Sequence, residues 1–153
     1  MSREMERTEI VAREAIRDLL ARYTWAGDRG RSAEVADCFL DDGVLDTGAH
    51  GGRWEGREAI AAELAAVADR VAAAATAPSP VNHHVASVLI EVTEPTRALV
   101  RSYFCVYTDV GADHWGSYRD VVAQDPIDGH WRFAERAVRV TGFAPGSRFA
   151  PGA

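Results

Sequence analysis

Residues 97–108 read RALVRSYFCVYT, a run rich in β-branched and aromatic side chains with neither glycine nor proline inside it. Such a run is a strand, and strand side chains alternate between two faces. Val100, Phe104 and Val106 fall on one face; Leu99, Tyr103, Cys105 and Tyr107 fall on the other. A sheet with one wet face alternates apolar with polar more cleanly than this. One face is therefore expected to meet helices and the other a partner subunit, which predicts a homodimer or higher homo-oligomer.

Three more runs resemble this one: His83 to Val92, His114 to Gln124 and His130 to Thr141. Turn residues separate them at Thr93-Glu94-Pro95-Thr96, Gly111 and Asp125-Pro126-Ile127-Asp128-Gly129. Upstream the period changes. Ile10, Ile16, Leu19, Leu20 and Tyr23 recur at helical spacing from Thr8 to about Ala26, and Gly27 with Gly30 end the pattern. Ser32 is the expected N-cap of a short second helix carrying Val35, Cys38, Phe39 and Leu40, stopped by Asp41-Asp42-Gly43. Short strands follow at Val44 to Thr47 and Arg53 to Glu55, then an alanine-rich helix from Arg57 to about Ala75, broken by Pro78 and Pro80. Segregated helices followed by hairpins predict an α+β fold with an antiparallel sheet.

At 153 residues the chain has room for one domain, residues 1–153, with 142–153 read as a loose tail. A hydrophobic fraction of 47% and a charged fraction of 26% are those of an ordinary soluble globule. The formal charge is −6 and the arginines are scattered, so no nucleic-acid partner is expected. No apolar run approaches the ~20 residues of a membrane span, and the N-terminus lacks the apolar segment of a signal peptide; a cytoplasmic location without membrane association is expected. Cys38 and Cys105 read as free buried thiols.

Candidate chemistry is sparse. Asp28 sits at the end of the first helix, where the helix's own partial negative charge opposes a second one. That suits a proton-transfer group, although Arg29 and Arg31 flank it as they would a solvated turn residue. His83 and His84 open the first long strand. Alternation lets only one of them face a cavity, so they make a poor metal pair, and no metal site is expected. A pocket histidine is the best candidate for a general base near neutral pH. Tyr23, Trp54, Tyr103, Tyr107, Trp115 and Tyr118 supply aromatic surface for a small-molecule pocket. The glycines of GAHGG (48–52) do not form a nucleotide fingerprint, and no nucleophilic-serine motif is present.

The segments YTWAGDRGRSAEVADCFLDDGVLD (23–46), GRWEGREAI (52–60), NHHVASVLIEV (82–92), SYFCVY (102–107), GSYRDVV (116–122) and GHWRFAERAV (129–138) together carry a resemblance. They resemble the SnoaL-like group of the NTF2-like superfamily, which includes scytalone dehydratase, bile acid 7α-dehydratase and polyketide cyclases. The resemblance spans about Ile10 to Val140. It implies a cone of three N-terminal helices packed on a curved, mainly antiparallel sheet around one pocket. It also implies a catalytic Asp28–His83 dyad, with Tyr23 beside the substrate and Trp54, Tyr107, Tyr118 and Asp120 as substrate contacts. His83 is preferred to His84 because it stands eight residues before Glu91, the spacing of that strand in scytalone dehydratase.

The expected activity is a cofactor-independent lyase or isomerase, a dehydratase or cyclase, acting on a cyclic, largely apolar polyketide-like or steroid-like ketone. One alternative is epoxide opening, for which Asp28, Asp120 and either Arg119 or Arg101 could form the Asp-Arg-Asp set of the limonene epoxide hydrolase branch. The other is a non-catalytic small-molecule-binding or dimerisation module.

Overall fold

In the computed structural model the described residues are 6–74 and 80–152. Ala75, the expected end of the third helix, and Pro78, expected to break the chain, lie outside them, as does Ala153.

Helix α1 (Arg7–Asp28) buries Ala12, Ile16, Leu19, Leu20 and Ala26 along one stripe. Each large apolar side chain removed from water contributes about 1.5–3 kcal/mol. Gly27 lies inside the helix, and Gly30 ends it in the left-handed region at φ +66°. The Gly30 N–H donates to the Gly27 carbonyl and the Arg31 N–H to the Ala26 carbonyl, the paired bonds of a Schellman cap. That cap fixes Asp28 on the last helical turn.

Helix α2 is shorter than expected, Ser32–Ala36, with Arg31 rather than Ser32 at its cap. Phe39 and Leu40 belong instead to strand β1 (Phe39–Asp46), and Asp41-Asp42-Gly43 falls within that strand rather than stopping a helix. The cause is tertiary. The Phe39 ring packs 6.2 Å from Tyr23 and 5.3 Å from Phe133, and β1 pairs in parallel with β6 (Trp131–Phe143). A short 3₁₀ turn at Gly48–His50 leads to β2 (Arg53–Glu55), and α3 covers Arg57–Ala74.

Strands β3 (Asn82–Glu94), β4 (Arg97–Thr108) and β5 (Gly111–Gln124) complete a six-stranded sheet ordered β2-β1-β6-β5-β4-β3. Every pairing is antiparallel except β1 with β6. The expected α+β architecture with a mainly antiparallel sheet is present. Register shifts interrupt four of the five pairings. Such bulges bend a strand, which curves the sheet towards the helices. One bulge in β3 holds Ser87 at a positive φ of 53°. At the crossing of β5 and β6 a Cβ on Gly116 would stand 2.0 Å from the Arg139 carbonyl oxygen, so only glycine allows that approach.

The alternation of β4 resolves as expected on its inner side: Ala98, Val100, Ser102, Phe104, Val106 and Thr108 are buried. The outer side carries Leu99, Tyr103 and Tyr107, with Leu89 and Trp115 on the neighbouring strands, all exposed. Cys38 and Cys105 are both free, Cys105 being only half-buried. Among the described residues no helix is long and apolar enough to cross a membrane.

The C-terminal segment corrects the sequence-based expectation of a loose tail. Residues 142 and 143 finish β6. Beyond them Ser147 is buried, and its hydroxyl accepts the N–H groups of Phe149 and Ala150. Arg148 pairs with Asp109 and donates to the Ala74 carbonyl. The segment is packed because the β4–β5 end supplies partners that its own composition does not reveal.

Candidate active site

The helices and the inner face of the sheet enclose a cavity of about 430 Å³. Tyr23, Leu45, Trp54, Leu64, His83, Phe104, His114, Tyr118, Val138 and Phe149 are among its lining residues. The wall is more apolar than polar, with Thr47, Glu63, Arg70 and Arg148 also lining it, a form that suits a small-molecule site.

His83 lines this wall, and Asp28 holds it from behind. His83 Nδ1 lies 2.5 Å from Asp28 Oδ1, and the His83 backbone N–H donates to both Asp28 oxygens at 3.1 Å. In a neutral imidazole that donates to Asp28 through Nδ1–H, Nε2 keeps its lone pair. His84 has the opposite parity and meets Tyr107 edge-on, ring centroids 4.8 Å apart, on the outer face.

Tyr23 lines the cavity one and a half helical turns before Asp28. Burial raises the pKa of its phenol, with the Arg136 guanidinium pulling the other way. Burial likewise pushes Tyr118 up. Both phenols are protonated at neutral pH and can donate hydrogen bonds.

Trp54 and Tyr118 are on the cavity wall. Tyr107 is not: Val106 takes the inward position, so Tyr107 points outward and is 42% exposed. Asp120 is buried but committed. Both its oxygens accept from Arg136, at 2.9 and 2.8 Å. Arg136 in turn is sandwiched against Tyr23, Tyr118 and Phe133, its guanidinium carbon 4.0–4.2 Å from their ring centres. This pair forms the floor beneath the two tyrosines. Arg101 and Arg119, considered above as partners of Asp120, are exposed on the outer face; the arginine that holds Asp120 comes from β6.

The sequence reading missed two residues of the site: His114 on the cavity wall and Arg136 behind it. His114 is buried against Phe104, Phe143 and Phe149. Its Nδ1 lies 2.8 Å from Oδ1 of Asp113, a wholly buried carboxylate. The signal was available: His114, Tyr118 and Asp120 share one strand parity, and two of the three were read as inward. Arg136 was hidden because a charged residue in a strand reads by default as surface. Among the described residues no three His, Cys, Asp or Glu side chains converge as metal ligands would.

The SnoaL-like domain profile matches residues 8–137, most of the chain. The chain belongs to the SnoaL-like domain family. Among solved structures, it is similar to a Novosphingobium aromaticivorans protein provisionally named a scytalone dehydratase. That match has 25% identity, covers 92% of this chain and 91% of the other, and has a TM-score of 0.75. A Catenulispora acidiphila protein is 27% identical over 88% of this chain and 95% of its own, TM-score 0.75. The hexachlorocyclohexane dehydrochlorinase LinA-type3 of Novosphingobium barchaimii shares the fold at 17% identity, over 90% and 92% of the two chains, TM-score 0.73. None of the curated proteins matches the sequence. As a SnoaL-like domain, the chain has the NTF2-like, cystatin-like architecture of its structural neighbours.

Proposed function

We propose that this SnoaL-like protein is a cofactor-independent lyase that removes water from a cyclic, carbonyl-activated substrate by proton transfer. The carrying observation is the 2.5 Å contact between Asp28 and His83, a residue lining a cavity more apolar than polar. Similarity to a protein named for dehydration supports the same class.

In this reading His83 Nε2 takes the proton next to the substrate carbonyl as the C–H bond breaks, and Asp28 stabilises the imidazolium that forms. Tyr23 donates to the carbonyl oxygen as enolate charge develops. The imidazolium then returns the proton to the β-hydroxyl. The C–O bond breaks, the C=C bond forms, water leaves and His83 is neutral again. Base catalysis and one oxyanion donor each supply about 10²–10⁴-fold, sufficient for a β-hydroxy ketone and too little for an unactivated alcohol. Trp54 and Tyr118 hold the ring system. Asp120 acts through Arg136, which backs the two tyrosines, rather than by touching substrate.

The test is elimination from a panel of cyclic β-hydroxy ketones, followed by enone absorbance, with wild type and His83→Ala. A loss of about 10²–10⁴-fold in kcat is expected. Equal rates would end the lyase reading in favour of a binding or dimerisation module. An epoxide-opening site would need Asp120 at the ligand, and Asp120 is buried behind the tyrosines, outside the cavity lining.

The same reading includes a homodimer through the outer sheet face, supported by Leu89 at 61% and Tyr103 at 65% exposure beside Leu99 and Trp115. Sedimentation of Tyr103→Glu should give monomer where the wild type gives dimer; a monomeric wild type would contradict it. A cytoplasmic location is also part of the reading, in keeping with two free cysteines.

A further inference from the structure

His83 and His114 stand in one row across the sheet. His83 pairs with Val106 on β4, and Val106 pairs with His114 on β5. All three face inward, so the two histidines are separated by two strand spacings, about 10 Å. His83 works at one end of that row. The site has so far given His114 nothing to do.

His114 is held in place by its surroundings. A bulge between the Val106 and Tyr107 pairings turns Asp113 inward beside it. Asp113 accepts from Thr108 Oγ1 at 2.8 Å, Ser147 Oγ at 2.5 Å, the Arg148 backbone N–H at 2.8 Å and His114 Nδ1 at 2.8 Å. Burial works against the charge of Asp113, but these donors together hold its carboxyl below the usual range. Burial also lowers the pKa of His114, outweighing the pull of Asp113, and His83 adds to the lowering. A neutral imidazole that donates through Nδ1–H to a carboxylate has one tautomer, with the lone pair on Nε2. Among the described residues nothing hydrogen-bonds to that nitrogen, and the ring lines the cavity.

We propose that His114 is a specificity-determining residue whose Nε2 accepts a hydrogen bond from an O–H group of the substrate, at the end of the cavity remote from His83. This rests on the lyase reading above and narrows it: the substrate is a fused-ring compound with a reactive carbonyl at one end and a phenol or enol hydroxyl about two rings away. A pocket acceptor that stays dry without its donor discriminates strongly against an analogue lacking the hydroxyl.

The test uses 2-naphthol and its methyl ether, 2-methoxynaphthalene, as binding probes by equilibrium dialysis with wild type, His83→Ala and His114→Phe. Wild type should prefer the naphthol by about tenfold or more. The preference should persist in His83→Ala and vanish in His114→Phe. No preference, no binding of either probe, or a preference that survives His114→Phe would each overturn the proposal. Should His114→Phe fail to fold, nitrogen-15 spectra of the wild type decide. Movement of the His114 Nε2 resonance on adding 2-naphthol but not its ether supports the proposal, and an unmoved resonance overturns it. None of these readouts involves turnover, so failure here leaves the His83 reaction standing, and an inactive enzyme leaves this result standing.

Discussion

Asp28 grips His83 twice, once by the ring and once by the main chain, across 55 positions of sequence. The last turn of α1 thereby fixes both where β3 begins and how its first inward side chain is turned. Orientation of the base and docking of the strand are one interaction.

Replacing Asp28 should therefore separate two effects. Asp28→Ala removes the acceptor from a ring N–H and a backbone N–H in a half-buried position, at a cost of about 1–3 kcal/mol in a urea melt. Asp28→Asn keeps a backbone acceptor but loses the charge behind the imidazolium, so stability should fall less while kcat falls as far as in His83→Ala. An Asp28→Ala protein as stable as wild type would show that the double contact carries no weight.

Arg136 and Asp120 should behave as an indivisible pair. Both side chains are essentially inaccessible, 1% and 0%. Burial works against the Arg136 charge, yet the Asp120 carboxylate more than offsets it and keeps the guanidinium protonated. Asp120→Ala leaves that charge unpaired and should cost about 3–5 kcal/mol, whereas joint replacement by Asp120→Leu and Arg136→Met should restore most of the loss. Denaturant midpoints of the three proteins measure this. A double variant no better than the single one would place the weight on packing rather than charge.

Acidification should weaken the fold in two stages. His114 has a lowered pKa in the folded state, so its contribution is complete above the ordinary histidine value of about 6.5 and declines as pH falls below it. Asp113 is also lowered, so its contribution holds above about pH 4 and is lost as pH falls towards the folded value. Urea midpoints from pH 8 to pH 3 should show both declines, and His114→Phe should lack the first. A first decline unchanged in His114→Phe would assign it to another histidine.

The C-terminal segment should act as a wall of the cavity. Ser147 anchors it to Asp113, and Phe149 and Ala150 line the interior. Deleting 147–153 should lower Tm by several degrees and raise the fluorescence of an apolar dye. Unchanged Tm and dye binding would show that these contacts are dispensable.

The α+β class and four of the six strands close to their true limits were legible in the sequence, because each rests on short-range pattern: a period of two or 3.6, or a turn. The placing of Asp28 beside His83, 55 positions apart, followed from the resemblance to the SnoaL-like group, since no local pattern joins the two. Where local preference and long-range pairing disagreed, pairing prevailed. Phe39 and Leu40 continue a helical pattern after Ser32, yet they form β1 because Phe39 finds Tyr23 and Phe133. Tyr107 looked like a ligand contact, and strand parity turned it outward. Only tertiary structure decided the polar interior. A buried charge is costly unless its partner is supplied, and the partners of Arg136, His114 and Ser147 come from other strands or from a bulge that no local pattern announces.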